Sequence, residues 1–65
     1  MKIKIWEMRT KKGFTLEKLS KKTNISISAL HNYENAKRKV NIFQLEEIAK
    51  VLGCKISDLY ESDYK

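Results

Sequence analysis

From Thr23 to Tyr33 the chain carries no Asp, Glu, Lys or Arg, although 34% of its residues are charged. Short hydrogen-bonding side chains fill the gap: Ser26, Ser28, His31 and Asn32, with Asn35 just beyond. Cations stand on both sides, Lys18, Lys21 and Lys22 before and Lys37, Arg38 and Lys39 after. Amides, hydroxyls and methyl groups read the edges of base pairs, whereas Lys and Arg neutralise phosphates. The pattern separates readout from electrostatics along the chain. Other chemistry is poorly provided for. His31 and Cys54 are the only histidine and cysteine. A structural zinc site takes four ligands, and catalysis takes a nucleophile with a base and an orienting group. No such set can be assembled, so no enzyme activity, metal, cofactor or small-molecule ligand is expected.

Side chains that read a groove need a rigid support, and periodicity predicts five helices. The first covers about residues 3–12, with Ile5 and Met8 on one face. The second takes Thr15 as its N-cap and runs to about Lys22, burying Leu19 and Ser20. After the turn Thr23-Asn24-Ile25, Ser26 caps a third helix of about residues 27–35, which buries Leu30 and Tyr33. Asn41 and Gln44 make a capping-box pattern before a fourth helix with Ile42, Leu45, Ile48, Ala49 and Leu52 in register. A fifth, about residues 56–61, presents Ile56 and Leu59, and the tail 62–65 is expected to fray. Gly13 and Gly53 fall where left-handed caps end helices. None of these helices is long enough to hold alone, so each depends on burying its apolar stripe.

Length and charge narrow the function further. The 65 residues suffice for one domain, 1–65. A chain of this size buries only about 60% of its unfolded surface, leaving little room for an enclosed active site. The net charge of +6 is unevenly spread. Residues 1–39 hold eleven basic and three acidic side chains, residues 40–65 three basic and five acidic. One surface is thus suited to a polyanion and another is not. A lone cysteine excludes an internal disulfide, no apolar run reaches the roughly 20 residues that span a bilayer, and Met1-Lys2-Ile3-Lys4-Ile5 lacks the apolar core of a secretory signal. A soluble, cytoplasmic, nucleoid-associated protein is expected.

Two short helices joined by a tight turn make a helix-turn-helix unit, here about residues 15–35. From Ile5 to Leu59 the chain resembles the lambda repressor/Cro-type (XRE-like) helix-turn-helix family. The matching pieces are Met8-Arg9, Lys12-Gly13-Phe14-Thr15, Leu19, Ile25-Ser26, Leu30, Tyr33-Glu34-Asn35, Lys37-Arg38-Lys39, Leu45, Ile48-Ala49 and Val51-Leu52-Gly53. Leu16 stands where the family often has a DNA-contacting Gln, Ser20 where Ala is common, Asn24 and Ala36 where Gly is common, and Val40 where Pro is frequent. The resemblance implies an all-α, compact five-helix bundle with the third helix in the major groove. It also implies a partly buried ion pair between Arg9 and Glu34.

By position on the third helix, Ile27, Ser28, His31 and Asn32 are the candidates for base readout. Asn32 suits a bidentate pair with adenine and Ile27 a thymine methyl. A contact with the second helix is the competing role for Ile27, and plain solvation that for Asn32. Thr15, Ser26, Lys37, Arg38, Lys39 and Asn41 are the phosphate candidates, the caps because they leave backbone N–H groups free for an anion. The partner expected is double-stranded DNA, bound by a homodimer that uses the end of the fourth helix and the last helix, with Tyr60 and Tyr64, and acts as a repressor. An antitoxin-like module using the same fold to bind a protein is the alternative.

Overall fold

The computed structural model describes all residues, 1–65. Four α-helices follow one another: α1 (Ile5–Lys11), α2 (Leu16–Thr23), α3 (Ile27–Glu34) and α4 (Ile42–Leu52). A four-residue 3₁₀ helix, Ile56–Leu59, comes next. Strands β1 (Lys2–Ile3) and β2 (Tyr60–Glu61) pair antiparallel, Lys2 opposite Glu61 and Ile3 opposite Tyr60. No helix is long and apolar enough to cross a membrane.

Three predicted caps form. The Thr15 hydroxyl accepts from the Lys18 N–H at 3.1 Å, the Ser26 hydroxyl from the Ala29 N–H at 3.1 Å and the Asn41 side-chain oxygen Oδ1 from the Gln44 N–H at 2.8 Å. Each satisfies an N–H that a helix start leaves without a partner. The turn between α2 and α3 closes because Asn24 takes a left-handed backbone, φ 61°. Thr23 locks it, donating to the Leu19 carbonyl and accepting from the Ile25 N–H.

The expected five-helix architecture needs two corrections, both at the chain ends. The first helix does not begin at residue 3. Ile3 is extended in β1, and the Lys4 N–H donates to the Leu59 carbonyl at 2.8 Å. The fifth element is one 3₁₀ turn, not a helix to residue 61. Asp58 accepts from the Lys55 N–H and its own N–H returns to the Lys55 carbonyl, after which Tyr60 is fully extended. Local periodicity read as helix is overridden because the two ends satisfy each other's backbone across the molecule. The last residues form a turn in which the Lys65 ammonium donates to the Tyr60 carbonyl and lies over the Tyr60 ring.

The core is Ile5, Leu19, Ile25, Leu30, Tyr33, Leu45, Ile48, Ala49, Leu52 and Leu59. It draws on every helix, which is how elements too short to stand alone hold together. Met8 and Ile56 cover its edge, partly buried. Ile42 is a further correction: 55% exposed at the first turn of α4, it lies beyond the core. Gln44 departs from its expected capping-box role as well. Its side chain accepts from the Tyr33 hydroxyl at 2.6 Å, tying α3 to α4.

α1 and α3 are joined by a charged clamp. Arg9 Nε donates to Glu34 Oε2 at 2.7 Å and Nη2 to Oε1 at 3.2 Å, while Nη1 donates to the Phe14 carbonyl at 2.8 Å. The two side chains are only 11% and 5% exposed. The clamp therefore fixes three segments at once: α1, the turn before α2, and the last turn of α3.

α3 ends in a Schellman motif, with Ala36 donating to the Tyr33 carbonyl and Lys37 to that of Asn32. Ala36 occupies the left-handed position at φ 58°, where a Cβ crowds the backbone. The helix keeps the ending that glycine favours, with alanine bearing the strain.

Two measurements check this account. Arg9→Met strands a buried carboxylate and is expected to destabilise by about 3 kcal/mol. Adding Glu34→Met should recover most of that loss in urea unfolding. A single variant within experimental error of wild type would refute the clamp. Ala36→Gly removes the Cβ clash but adds unfolded-state entropy, for a net gain of about 0.5–1 kcal/mol. The thermal midpoint should rise by roughly 2–8 °C, whereas Asn24→Gly should leave it nearly unchanged because Asn tolerates that backbone.

Candidate nucleic-acid interface

α3 turns Leu30 and Tyr33 into the core and leaves Ser26, Ile27, Ser28, His31 and Asn35 exposed, with Asn32 half-buried. Ile27 is 45% exposed and is not among the side chains packed on the core. The four candidates for base contact thus share one accessible side of a helix whose other side is fixed. The Ser26 cap takes one free N–H at the start of α3, and the remaining N–H groups of that first turn give the end a positive character.

Asn35 also holds the end of α3. Its amide donates to the His31 carbonyl at 2.8 Å and lies 3.4 Å from either ring nitrogen of His31. It therefore completes the C-terminal end of α3 and restrains His31. A side-chain amide four residues after a histidine on a helix was the available signal.

Lys37, Arg38, Lys39 and Asn41 are all exposed in the loop from α3 to α4, and Thr15 is exposed at the start of α2. These phosphate candidates come from two segments, one on either side of α3 in the chain, and Ser26 adds a third at the start of α3 itself. Arg38, one of these candidates, and Lys18 lie against aromatic rings. The Arg38 guanidinium is 5.9 Å from the centre of the Tyr33 ring, and the Lys18 ammonium 4.8 Å from that of Phe14. Such placement limits the freedom of a long side chain before any ligand arrives. Since the Tyr33 hydroxyl is held by Gln44, Arg38 is referred through one ring to the framework of α4.

Most acidic charge is neutralised or placed elsewhere, although Glu17 stands exposed and without an ion pair in the first turn of α2. Glu34, the only acid within α3, is neutralised by Arg9. Glu46 and Glu47 lie on α4, and Asp58, Glu61 and Asp63 in the terminal region, all exposed. No three of the His, Cys, Asp and Glu side chains come together to hold a metal ion. Cys54 is half-buried, and its thiol is pushed up from the ordinary value by burial first and then by Asp58, with Lys12 opposing. A raised thiol is a poor nucleophile at neutral pH.

Several apolar side chains remain exposed outside α3. Phe43 is 77% exposed beside Ile42, Tyr64 is 97% exposed and Trp6 is 54% exposed. Tyr60, in contrast, is half-buried beneath Lys65.

No curated protein is similar enough in sequence to count as a relative. Among solved structures, the chain is similar to the N-terminal DNA binding domain of SinR from Bacillus subtilis, with a TM-score of 0.79 and 26% identity, over 94% of this chain and 90% of that one. A family model described as helix-turn-helix matches residues 7–59, a span that takes in the Arg9–Glu34 clamp, both helices of the unit and the 3₁₀ turn. The chain belongs to the lambda repressor/Cro-type helix-turn-helix family.

Proposed function

We propose that this protein is a sequence-specific, double-stranded-DNA-binding regulator of transcription, and a repressor, with α3 lying in the major groove. The observation that carries the reading is the outer side of α3: uncharged, accessible and bordered by cations. Such a side chain set discriminates base pairs, and its border supplies the sequence-independent attraction. The similarity to a solved DNA binding domain at 26% identity supports the same conclusion.

In this reading Asn32 pairs with an adenine edge, Ile27 packs on a thymine methyl, and Ser28 and His31 complete the base contacts. Thr15, Ser26 and Asn41 leave helix N–H groups for phosphates, and Lys37, Arg38 and Lys39 neutralise the strand beyond. Occupying a promoter excludes other proteins, so repression needs nothing more than this surface. The protein acts where the DNA is, in the cytoplasm with the nucleoid, and no reaction is assigned to it.

A homodimer suits the task. The molecule measures 32 × 24 × 19 Å, so two copies fit without overlap on half-sites roughly 34 Å apart. Tyr64 and the end of α4 are the surface proposed to join them. The exposed pair Ile42 and Phe43 favours a second reading, a module that binds another protein.

Selection from random duplexes, then fluorescence polarisation at several salt concentrations, separates the two. Steep salt dependence and one preferred sequence are expected. Salt-independent behaviour with no sequence preference would leave the protein-binding reading standing. On the selected duplex, Asn32→Ala should relax a single base position at a cost of about 1–3 kcal/mol. Lys39→Ala should weaken all sequences alike and reduce the salt slope by about one.

A further inference from the structure

Trp6, the only tryptophan, is more than half exposed although it belongs to α1, whose inner side is anchored by fully buried Ile5. A single exposed apolar side chain is ordinary, and Ile42, Phe43 and Tyr64 are exposed at least as much; what sets Trp6 apart is its surroundings. Trp6 does not stand alone. It lines an open groove with Leu16, His31 and Asn35, and the Arg9–Glu34 pair forms the floor. The groove runs from α1, past the first residue of α2, to the outer side of α3. It is therefore continuous with the surface assigned to DNA: His31 is a candidate base contact, and Leu16 follows the phosphate candidate Thr15.

We propose that this groove seats the deoxyribose-phosphate backbone of one DNA strand, with Trp6 as a binding residue outside the helix-turn-helix unit; the inference rests on the DNA-binding reading above. Three features fit that occupant. The indole and Leu16 offer apolar walls to a sugar ring. The indole N–H of Trp6 donates no hydrogen bond within the chain, while the backbone carbonyl of the residue accepts from the Thr10 hydroxyl. It can donate to a phosphate oxygen. The only acid in the groove, Glu34, is held by Arg9, so a polyanion meets no free negative charge there. Leu16 supplies no polar contact at the start of α2, and the indole on α1 brings a donor to the same groove from the other side.

Because there is one tryptophan, its emission reports on this groove directly. The selected duplex, carrying a dye, is titrated with the full chain while anisotropy follows binding. Acrylamide quenching of the indole is measured with and without saturating duplex. Protection of Trp6 is expected, with the same midpoint as the anisotropy. Trp6→Ala should raise Kd about tenfold on the selected and on a scrambled duplex alike, the size of one lost hydrogen bond to a charged group. Trp6→Phe, which keeps a ring but no donor, should fall between. Circular dichroism confirms that the variants fold. An indole that stays fully quenchable when duplex saturates the protein, or a Trp6→Ala affinity within about twofold of wild type, would overturn the inference while leaving the DNA-binding reading intact. No anisotropy change with the wild-type chain would overturn both.

Discussion

A helix can present an uncharged side to a groove only if its other side is held firmly, and here the strongest single hold is ionic. Arg9 and Glu34 meet with two hydrogen bonds, and the third guanidinium donor goes to the Phe14 carbonyl. Burial makes the arrangement all-or-none. Two desolvated charges with good geometry roughly offset their loss of water, whereas either one alone is costly. Its contribution is thus more to arrangement than to net stability. The clamp admits one relation between α1, the turn before α2, and the end of α3. It also neutralises the only acid of α3, beside the uncharged outer side of that helix.

Around that clamp the polar parts of the molecule form a connected set. Tyr33 buries its ring in the core, gives its hydroxyl to Gln44 on α4, and offers its face to Arg38. Asn35 returns its amide to the His31 carbonyl. Each contact reduces the freedom of a side chain on or beside the outer side of α3. Restriction before binding lowers the entropy that association must overcome. The elements are too short to be rigid individually, and a core drawn from all of them supplies what length does not.

Much of this was legible in the residue order, and what was not has a common cause. Helices α2, α3 and α4 declare themselves through local signals, Thr15, Ser26 and Asn41 as caps and Asn24 and Gly53 as left-handed ends. The ends of the chain do not. Ile3 and Tyr60-Glu61 carry helix-compatible spacing, and only contact with each other makes them strands. Gln44 reads as a capping residue because the pattern is local, but Tyr33 is the partner it takes. Ile42 fits the apolar period of α4, yet the helix starts beyond the reach of the core. Ala36 shows the reverse: it stands where glycine is common, and two backbone hydrogen bonds hold the left-handed turn against alanine's preference. Composition and charge likewise marked the outer side of α3, while the groove beside Trp6 depends on how α1 lies across it.

The union of the chain ends has a bearing on how the protein is made. Lys4, just before α1, finds its backbone partner in Leu59, and Ile3 finds its own in Tyr60. During synthesis the first helix emerges early but has nothing to dock its beginning against until the segment around Leu59 has left the ribosome. Contacts so distant along the chain close late. The Arg9–Glu34 clamp needs only residues up to 34, but the beginning of α1 is secured only once the segment around Leu59 is available.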